Sequence, residues 1–194
     1  MGALKQEDRY TYEDYKNWPD EPRVELINGY IYNMAAPSQR HQGLLFELSR
    51  LFGNYLKGKK CRGFYAPSDV RLNFDTTDDT VVQPDLFVVC DKSKLDGQNC
   101  NGAPDFVLEI LSPSTSSKDK VTKFNKYLEA GVKEYWIVCP EEKTIIVHTL
   151  TDDGKYVTAA FAESEDTPKP MVKVGIFDDF EIDLVDVFSE IEEE

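Results

Sequence analysis

Two short apolar segments of the chain carry carboxylates at positions where buried strands ordinarily have none. Asp85 lies in the segment 82–89, directly after Pro84, and Glu109 lies in the segment 104–111. An ionised carboxylate in apolar surroundings is strongly unfavourable unless a partner compensates its charge. Carboxylate oxygens are hard ligands that suit Mg²⁺ or Mn²⁺. We therefore expect the two segments to be neighbouring strands whose carboxylates share a cation.

A magnesium ion held in this way would support phosphodiester hydrolysis. Magnesium is commonly bound by one or two carboxylates, waters and substrate phosphate oxygens, and a bound metal activates water for attack. The charge that develops on the phosphate also needs a nearby cation, such as a lysine. Strand alternation places residue 111 on the same face as Glu109, but this residue is Leu111. The lysine must therefore come from another element.

The helix predicted at about residues 118–130 offers candidate lysines. They are Lys118, Lys120, Lys123 and Lys126. The helical period places Lys123 at the border of the apolar face and Lys120 nearer the core, so periodicity alone does not choose between these two. The ordinary alternative for Glu109 is an ion pair with a helix lysine. The ordinary alternative for Asp85 is a strand edge where backbone N–H groups satisfy the carboxylate.

Two further residues are open to more than one interpretation. Glu25 lies on the first strand of a hairpin that Asn28-Gly29 predicts. It is either a solvent-face residue, which composition favours, or a carboxylate directed at the site. His41 lies in the first turn of a helix capped by Ser38. A lone histidine is more often structural than catalytic.

The order of predicted elements indicates the fold class. Strands are predicted on both sides of residues 28–29 and at 61–65, 69–74, 82–89, 104–111, 133–139, 144–150 and 156–161. Helices are predicted at about 11–18, 38–57 and 118–130. Strands clustered between a long early helix and a later one indicate a mixed β-sheet with helices on its faces, an α/β protein.

Charge is distributed unevenly along the 194 residues, whose formal net charge is −14. Residues 175–194 hold nine acidic residues and no Lys or Arg. We therefore predict one domain over residues 1–162 and an acidic extension over 163–194, packed on the body or at a dimer interface. Basic residues cluster in the predicted helix at 118–130 and at Lys57, Lys59, Lys60 and Arg62. A solvated face is their ordinary interpretation, but local fields decide phosphate binding, so a nucleic-acid partner stays open.

The sequence also indicates the location of the protein and the functional classes to which it does not belong. The first residues lack the apolar core of a signal peptide, and no apolar run approaches the roughly 18 residues that cross a bilayer. We expect a soluble, cytoplasmic protein with no membrane partner. The four cysteines lack zinc-site spacing, and we expect reduced thiols without a role. Glycine-rich phosphate loops, Ser or Cys nucleophile motifs and nucleotide fingerprints are absent from the sequence.

Short motifs in a fixed order resemble one known family. They are Glu25-Leu-Ile-Asn-Gly29, His41 at the start of a helix, Ser68-Asp-Val-Arg-Leu72, Gln83-Pro-Asp85, Pro104-Asp-Phe-Val-Leu-Glu109, Ser112-Pro-Ser-Thr115, Asp119-x3-Lys123-x3-Tyr127 and Gly131-Val-Lys-Glu-Tyr-Trp136. Together they resemble the Uma-two family of restriction endonucleases, within the PD-(D/E)XK nuclease superfamily. The resemblance covers roughly residues 10–150 and leaves the acidic extension unexplained.

The resemblance implies a fold and a site. The fold is a restriction-endonuclease-like core, a mixed central β-sheet flanked by helices, with an N-terminal β-hairpin. Asp85 matches the metal-binding aspartate and Glu109 the acidic residue of the (D/E)XK step, and the backbone carbonyl of Ile110 would be a further metal ligand. Lys123 matches the helix lysine that replaces the one missing at position 111. Glu25 and His41 match recurring positions, which we treat as accessory.

The function that the resemblance implies is a metal-dependent endonuclease, with Mg²⁺ or Mn²⁺ as cofactor and DNA as the expected nucleic acid. Nucleases that act on both strands commonly dimerise, and this motivates the prediction of a homodimer. The alternative is a catalytically silent module that keeps the nuclease fold and binds nucleic acid or protein. Hydrolysis of another phosphate ester is a third possibility that the sequence leaves open.

Overall fold

Two β-sheets meet at the segment that carries Asp85. The computed structural model describes residues 8–19, 21–112 and 117–189, without the side chains of 117–120. The helices are α1 (Tyr12–Tyr15), α2 (Gln39–Leu56), α3 (Ser117–Ala130) and α4 (Leu184–Ser189). The strands are β1 (Val24–Ile27), β2 (Tyr30–Asn33), β3 (Arg62–Tyr65), β4 (Val70–Arg71), β5 (Val81–Val82), β6 (Leu86–Val89), β7 (Cys100–Asn101), β8 (Phe106–Ile110), β9 (Glu134–Cys139), β10 (Thr144–Leu150), β11 (Tyr156–Ala162), β12 (Met171–Lys173) and β13 (Glu181–Asp183). The predicted α/β class is confirmed.

The smaller of these two sheets contains the predicted hairpin. Its strand order is β2-β1-β5-β4-β7, and β1 pairs antiparallel with β2. Asn28 and Gly29 both have positive φ, 53° and 78°, which is the backbone that a tight two-residue hairpin turn requires. Leu26 on β1 pairs with Val81 on β5. The hairpin is thereby joined to the strand that leads into Asp85.

The larger sheet carries the second carboxylate. Its order is β11-β10-β9-β8-β6-β3, in which β8 and β9 are parallel and β6 runs antiparallel to β8 with Leu86 opposite Leu108. The two carboxylate-bearing segments are therefore neighbours, as predicted. β3 and β11 are the edge strands of this sheet.

The segment 82–89 is not one strand, as we had predicted, but the crossing between the two sheets. β5 ends at Val82 and β6 begins at Leu86, so Gln83-Pro84-Asp85 lies between them. Pro84 cannot donate a ladder hydrogen bond, and this is consistent with a break at that position. The crossing places Asp85 at the start of β6, beside the first sheet.

Helices cover the two faces of the larger sheet. α2 begins after Ser38, whose Oγ accepts a hydrogen bond from the N–H of His41, and its buried residues pack with Leu86, Leu108 and Trp136. On the opposite face, the buried Tyr127 of α3 belongs to the cluster that contains Val107 and Tyr135. None of the helices in the described part of the chain is long and apolar enough to cross a membrane.

The described part of the acidic extension packs against the α2 side of the sheet. The core there includes Val172, Val174, Phe180, Ile182, Leu184, Val187 and Phe188. The buried carboxylate of Glu134 accepts hydrogen bonds from the N–H of Ile176 at 2.8 Å and from Nε1 of Trp136 at 2.6 Å. This carboxylate joins the turn after β12 to β9. The domain boundary at residues 162–163 stays a prediction.

The expectation of reduced thiols is wrong for one pair of cysteines. Cys61 and Cys90 form a disulfide. The cause is the pairing of β3 with β6, in which Arg62 lies opposite Val89, so that the residues flanking this pair also face each other. The spacing of cysteines along the chain carries no sign of this pairing. Cys100 and Cys139 are buried thiols.

Candidate active site

Three carboxylates and one ammonium group meet where β1, β6, β8 and α3 come together. The carboxylates belong to Glu25, Asp85 and Glu109, and the ammonium group is that of Lys123. Their side chains are only 6%, 16%, 12% and 17% exposed, in that order. The structure therefore brings together the two predicted metal-binding side chains, the predicted lysine and Glu25, and the other accessory residue, His41, lies against Asp85.

Glu109 is held by two residues of α3. Its Oε1 accepts hydrogen bonds from Nζ of Lys123 at 2.9 Å and from the hydroxyl of Tyr127 at 2.6 Å. Lys123 and Tyr127 are four residues apart and therefore lie on the same face of the helix. The alternative in which Glu109 forms an ion pair with a helix lysine thus describes the same contact as the predicted site.

Glu25 is a buried residue of the site, so its interpretation as a solvent-face residue is wrong. All four residues of β1 are buried, and Glu25 itself is 5% exposed. Its Oε1 lies 2.9 Å from Nζ of Lys123 and accepts a hydrogen bond from the backbone N–H of Gln83 at 2.8 Å. Glu25 therefore links the lysine to the crossing segment that carries Asp85.

Asp85 faces the end of β8 and the start of α2. Its Oδ2 accepts a hydrogen bond from the backbone N–H of Ile110 at 2.7 Å and lies 3.2 Å from Nε2 of His41. The predicted backbone N–H partner of a strand-edge aspartate is thus present. This hydrogen bond uses one lone pair of Asp85, and the carboxylate has further lone pairs for another ligand.

His41 contacts Asp85 as a cation would. Burial lowers the pKa of His41, but the hydrogen bond and the charge of Asp85, with smaller contributions from Glu109 and the backbone of Ile110, raise it above its ordinary value. Nδ1 of His41 is buried without a hydrogen-bond partner among the described residues. The contact with Asp85 therefore favours the protonated imidazole, whereas burial opposes it.

The charge balance of the cluster is negative. Burial, with smaller contributions from the charges of Asp85 and Glu25, raises the pKa of Glu109 to about 7 against the opposing charge of Lys123. Burial also lowers the pKa of Lys123, but Glu109 and Glu25 raise it more, to well above its ordinary value. One ammonium group cannot neutralise three carboxylates, so the site favours additional positive charge.

The donor set fits a hard divalent cation. The described residues contain no group of three or more His, Cys, Asp or Glu side chains arranged to hold a metal. Magnesium does not need such a group, because one or two carboxylates with waters and phosphate oxygens suffice. Asp85, Glu109 and the Ile110 carbonyl are oxygen donors of this kind, and the excess of negative charge favours the ion.

Sequence reasoning missed the residues that support this cluster. Besides Tyr127, the principal one is Gln83, whose side-chain amide donates to Oδ1 of Asp69 at 2.8 Å and whose Oε1 accepts from Arg23 at 2.6 Å. Asp69, Gln83 and Tyr127 all lie inside the motifs quoted above, and this was the available signal. Lys126 contacts Glu129 on the surface, whereas the side chain of Lys120 lies outside the described part.

Comparison with known proteins places the chain in a family. The sequence profile described as "Uma2: Putative restriction endonuclease" matches residues 12–179. The uncharacterized protein slr1290 of Synechocystis sp. (strain ATCC 27184 / PCC 6803 / Kazusa) is 30% identical over 156 residues, which are 79% of this chain and 80% of that protein. The uncharacterized protein sll1609 of the same strain is 31% identical over 107 residues, 54% of this chain and 59% of that protein.

A solved structure has the same fold. It is described as "a putative nuclease belonging to DUF820 from Anabaena variabilis ATCC 29413". The two structures superpose with a TM-score of 0.76 at 23% sequence identity, and the match covers 94% of this chain and 99% of the other. The predicted restriction-endonuclease-like architecture is confirmed.

The sheets, the flanking helices and the carboxylate–lysine cluster define an α/β protein of the restriction-endonuclease-like class. The chain belongs to the Uma2 family, as its ordered motifs predicted. The description of that family supports a nuclease as the class of function. The match continues to residue 179, and so it includes much of the segment that the motifs left unexplained.

Proposed function

We propose that this protein is a metal-dependent endonuclease that hydrolyses phosphodiester bonds of DNA. The observation that carries the proposal is the position of Lys123, whose ammonium group contacts Glu109 and Glu25 at 2.9 Å each. Those contacts hold a cation between two carboxylates, and Glu25 is itself bonded to the backbone of Gln83 in the segment that carries Asp85. This is the combination of oxygen donors and positive charge that phosphodiester hydrolysis requires.

Asp85, Glu109 and the Ile110 carbonyl would hold Mg²⁺ or Mn²⁺. The bound ion supplies Lewis acidity toward the phosphate and lowers the pKa of a bound water. Each protein group then has one task. Lys123 stabilises the negative charge that develops on the scissile phosphate, Glu25 holds the lysine in place, and Tyr127 fixes the orientation of the Glu109 carboxylate.

His41 lies at the edge of the site, against Asp85. Its Nε2 lies 3.2 Å from Oδ2 of Asp85, and the raised pKa favours the imidazolium form. A divalent ion held by Asp85 would place a second positive charge close to this imidazole. We assign His41 an accessory role, because it acts on Asp85.

Plasmid cleavage in Mg²⁺ or Mn²⁺ tests the proposal. We expect Asp85→Ala and Glu109→Ala each to abolish metal-dependent cleavage while circular dichroism shows a folded protein. Calorimetric titration should show that both variants lose affinity for Mn²⁺. Cleavage that persists unchanged in both variants would contradict the assignment. Metal binding without cleavage of any DNA would favour the alternative of a catalytically silent binding module.

A second comparison tests the choice of lysine. We expect Lys123→Ala to lose at least about a hundredfold in cleavage rate, as removal of a group that stabilises developing charge typically does. Lys120→Ala is the matched control from the same helix and should retain activity. Equal losses in the two variants would mean that the lysine is wrongly assigned.

The homodimer is a further part of the proposal and rests on the need to cut two strands. Light scattering coupled to size-exclusion chromatography measures the mass directly. We expect twice the 22.2 kDa of one chain. A purely monomeric result at the concentrations of the cleavage assay would remove this part and leave the chemistry of the site intact.

A further inference from the structure

A groove lies between α2 and the edge strand β3, next to the candidate active site. Its volume is about 430 Å³, within the range of roughly 300–1,000 Å³ that is common for ligand sites. Its walls are residues of α2, of the turn after it, and of β3, with Leu86 of β6 at its floor. Neither the nuclease chemistry nor the fold requires a groove at this position.

One wall of the groove is a continuous face of α2. Ser49, Gly53 and Lys57 line it, and their spacing of four residues places them in one row along the helix. Phe46 continues this row toward the start of the helix, three residues before Ser49, and is 73% exposed. An aromatic ring in water at this position has no role in packing the core.

The other wall leads directly to Asp85. Tyr65 at the end of β3 is 63% exposed, lines the groove and pairs with Leu86. The next residue, Ala66, donates its backbone N–H to the carbonyl oxygen of Asp85 at 3.1 Å. Both exposed rings therefore lie at the end of the groove nearest the site, since α2 also begins there with His41 against Asp85.

The opposite end of the groove is basic. Lys57 and Arg62 line it, and none of the described residues lining the groove is acidic, although the chain as a whole has a net charge of −14. Lys59, from the same basic cluster, is instead paired with Asp179 at 3.5 Å. The groove is thus a local exception to the charge of the protein, and it complements a polyanion.

One residue that lines the groove carries a buried polar atom without a hydrogen-bond partner among the residues that the structure describes. Oγ of Ser49 is buried and makes no hydrogen bond within the described part of the chain. A buried hydroxyl without a partner is unfavourable unless a ligand or a water satisfies it. It lies between the aromatic end and the basic end of the groove, in the row that Phe46 and Lys57 define.

We propose that this groove binds an unpaired nucleic-acid strand and leads it to Asp85 and Glu109. Phe46 and Tyr65 stack on bases, which only an unpaired strand presents with free faces, while Lys57 and Arg62 contact phosphates. The inference rests on the proposed nuclease function and narrows its substrate to single-stranded or locally unpaired DNA.

Blocking the groove is the most direct test. Nothing lies within 4 Å of a Cβ built on Gly53, and leucine is a better helix former than glycine, so Gly53→Leu fills the groove without weakening α2. Binding is measured by fluorescence anisotropy of a labelled oligothymidylate and of a labelled duplex of equal length, in EDTA so that nothing is cut. We expect wild type to favour the single strand, and Gly53→Leu to bind it at least about tenfold more weakly at an unchanged Tm.

Side-chain variants separate the two ends of the groove. Phe46→Ala and Tyr65→Ala should each weaken single-strand binding by about tenfold. Lys57→Ala should weaken it and reduce its dependence on salt concentration. Val157→Ala and Lys155→Ala are the matched controls, because both residues are exposed and lie on or beside β11 at the opposite edge of the sheet. The controls should bind like wild type.

Three outcomes would overturn the inference. Wild type that prefers duplex would do so, as would groove variants that bind the oligonucleotide as tightly as wild type. In the third outcome, Gly53→Leu halves the mass seen by light scattering but leaves oligonucleotide binding unchanged, which would make the groove an interface between two copies. The results distinguish failure of one proposal from failure of the other. Binding in the groove without cleavage in Mg²⁺ or Mn²⁺ would contradict the proposed nuclease activity but support the groove as a binding site. Groove variants that cleave and bind like wild type would contradict the proposed role of the groove but leave the nuclease activity intact.

Discussion

Oε1 of Glu25 and Nζ of Lys123 are 2.9 Å apart, and this contact joins the first strand of the protein to the third helix. Glu25 contacts the lysine that also contacts Glu109, and its charge contributes to the raised pKa of Glu109. The same carboxylate oxygen is held by the backbone N–H of Gln83. Glu25 is therefore a positioning residue of the candidate active site.

Replacing Glu25 by glutamine tests this role. We expect Glu25→Gln to lower kcat by about ten- to a hundredfold with little change in KM, because a displaced catalytic group costs rate at unchanged binding. The measurement is steady-state cleavage of a fluorogenic oligonucleotide. Glu129→Gln, which removes the surface partner of Lys126, is the control. If Glu25→Gln changed only the Tm and left kcat at the wild-type value, the role would be structural.

Protonation of Glu109 gives a prediction about stability. Burial raises the pKa of Glu109 from 4.5 to about 7 in the folded protein, so between these values the folded state binds more protons than the unfolded state. The contribution of Glu109 to stability is then fully present below pH 4.5, where both states are protonated, and it is lost as the pH rises through 7. We expect the Tm of the metal-free protein to fall across this window because of Glu109.

The matched variant for this titration is Glu109→Gln. It lacks the carboxyl group, so its Tm should fall less steeply between pH 4.5 and 7. Differential scanning fluorimetry at several pH values in EDTA measures both proteins. The raised pKa of His41 also contributes and depends in part on the charge of Glu109, so the difference between the two curves reports on Glu109 together with its effect on His41. Parallel curves would show that its pKa is not raised.

The fold could be predicted from local signals wherever one residue or one period decides the structure. Asn28-Gly29 predicted the hairpin, and Ser38 with the apolar period of the following residues predicted α2, which runs over Gln39–Leu56. The break at residues 83–85 could not be predicted in the same way. Pro84 indicates an interruption, but a proline is also found at bulges and strand starts, and only the pairing of β5 and β6 with different sheets shows that the chain crosses between sheets here.

The residues of the candidate site could be predicted from the sequence for a different reason. Asp85 and Glu109 stand out in the sequence because charges inside apolar segments need an explanation. Lys123 is chosen over Lys120 by the family resemblance. Tyr127 did not stand out, because a tyrosine on the apolar face of a helix is ordinary until its hydroxyl is seen on Glu109. The disulfide gave no signal either, because it depends on the register of β3 against β6. Residues that act through a neighbour are the ones that sequence reasoning misses.

Glu134 gives a prediction about the C-terminal segment. Its carboxylate accepts hydrogen bonds from Nε1 of Trp136 and from the backbone N–H of Ile176. A glutamine at that position would turn its NH₂ group toward one of these two N–H groups, and that hydrogen bond would be lost. We expect Glu134→Gln to lower the free energy of unfolding by about 1–3 kcal/mol, as measured by urea denaturation. The exposed Glu142→Gln serves as control. An unchanged denaturation midpoint would mean that the contact does not stabilise the packed segment.

The disulfide gives a prediction about reduction. A bond across a sequence separation of 29 stabilises a protein by about 3–4 kcal/mol on the chain-entropy account. We expect dithiothreitol to lower the Tm of wild type by several degrees and to leave the Cys61→Ser, Cys90→Ser double variant unchanged. The predicted cytoplasmic location would keep the two thiols reduced, which makes the reduced form worth measuring for activity as well. A Tm insensitive to reductant in wild type would show that the bond does not form in solution.

The bond between Cys61 and Cys90 also changes the connectivity of the molecule. It closes the chain between these residues into a macrocycle that contains β3, one wall of the groove, and Asp85. A protease that cuts a single peptide bond between them, for instance in the turn at residues 75–79, leaves both fragments covalently attached. The nicked protein would keep its full mass until a reductant is added, and the groove wall could not be released without the carboxylate that it adjoins.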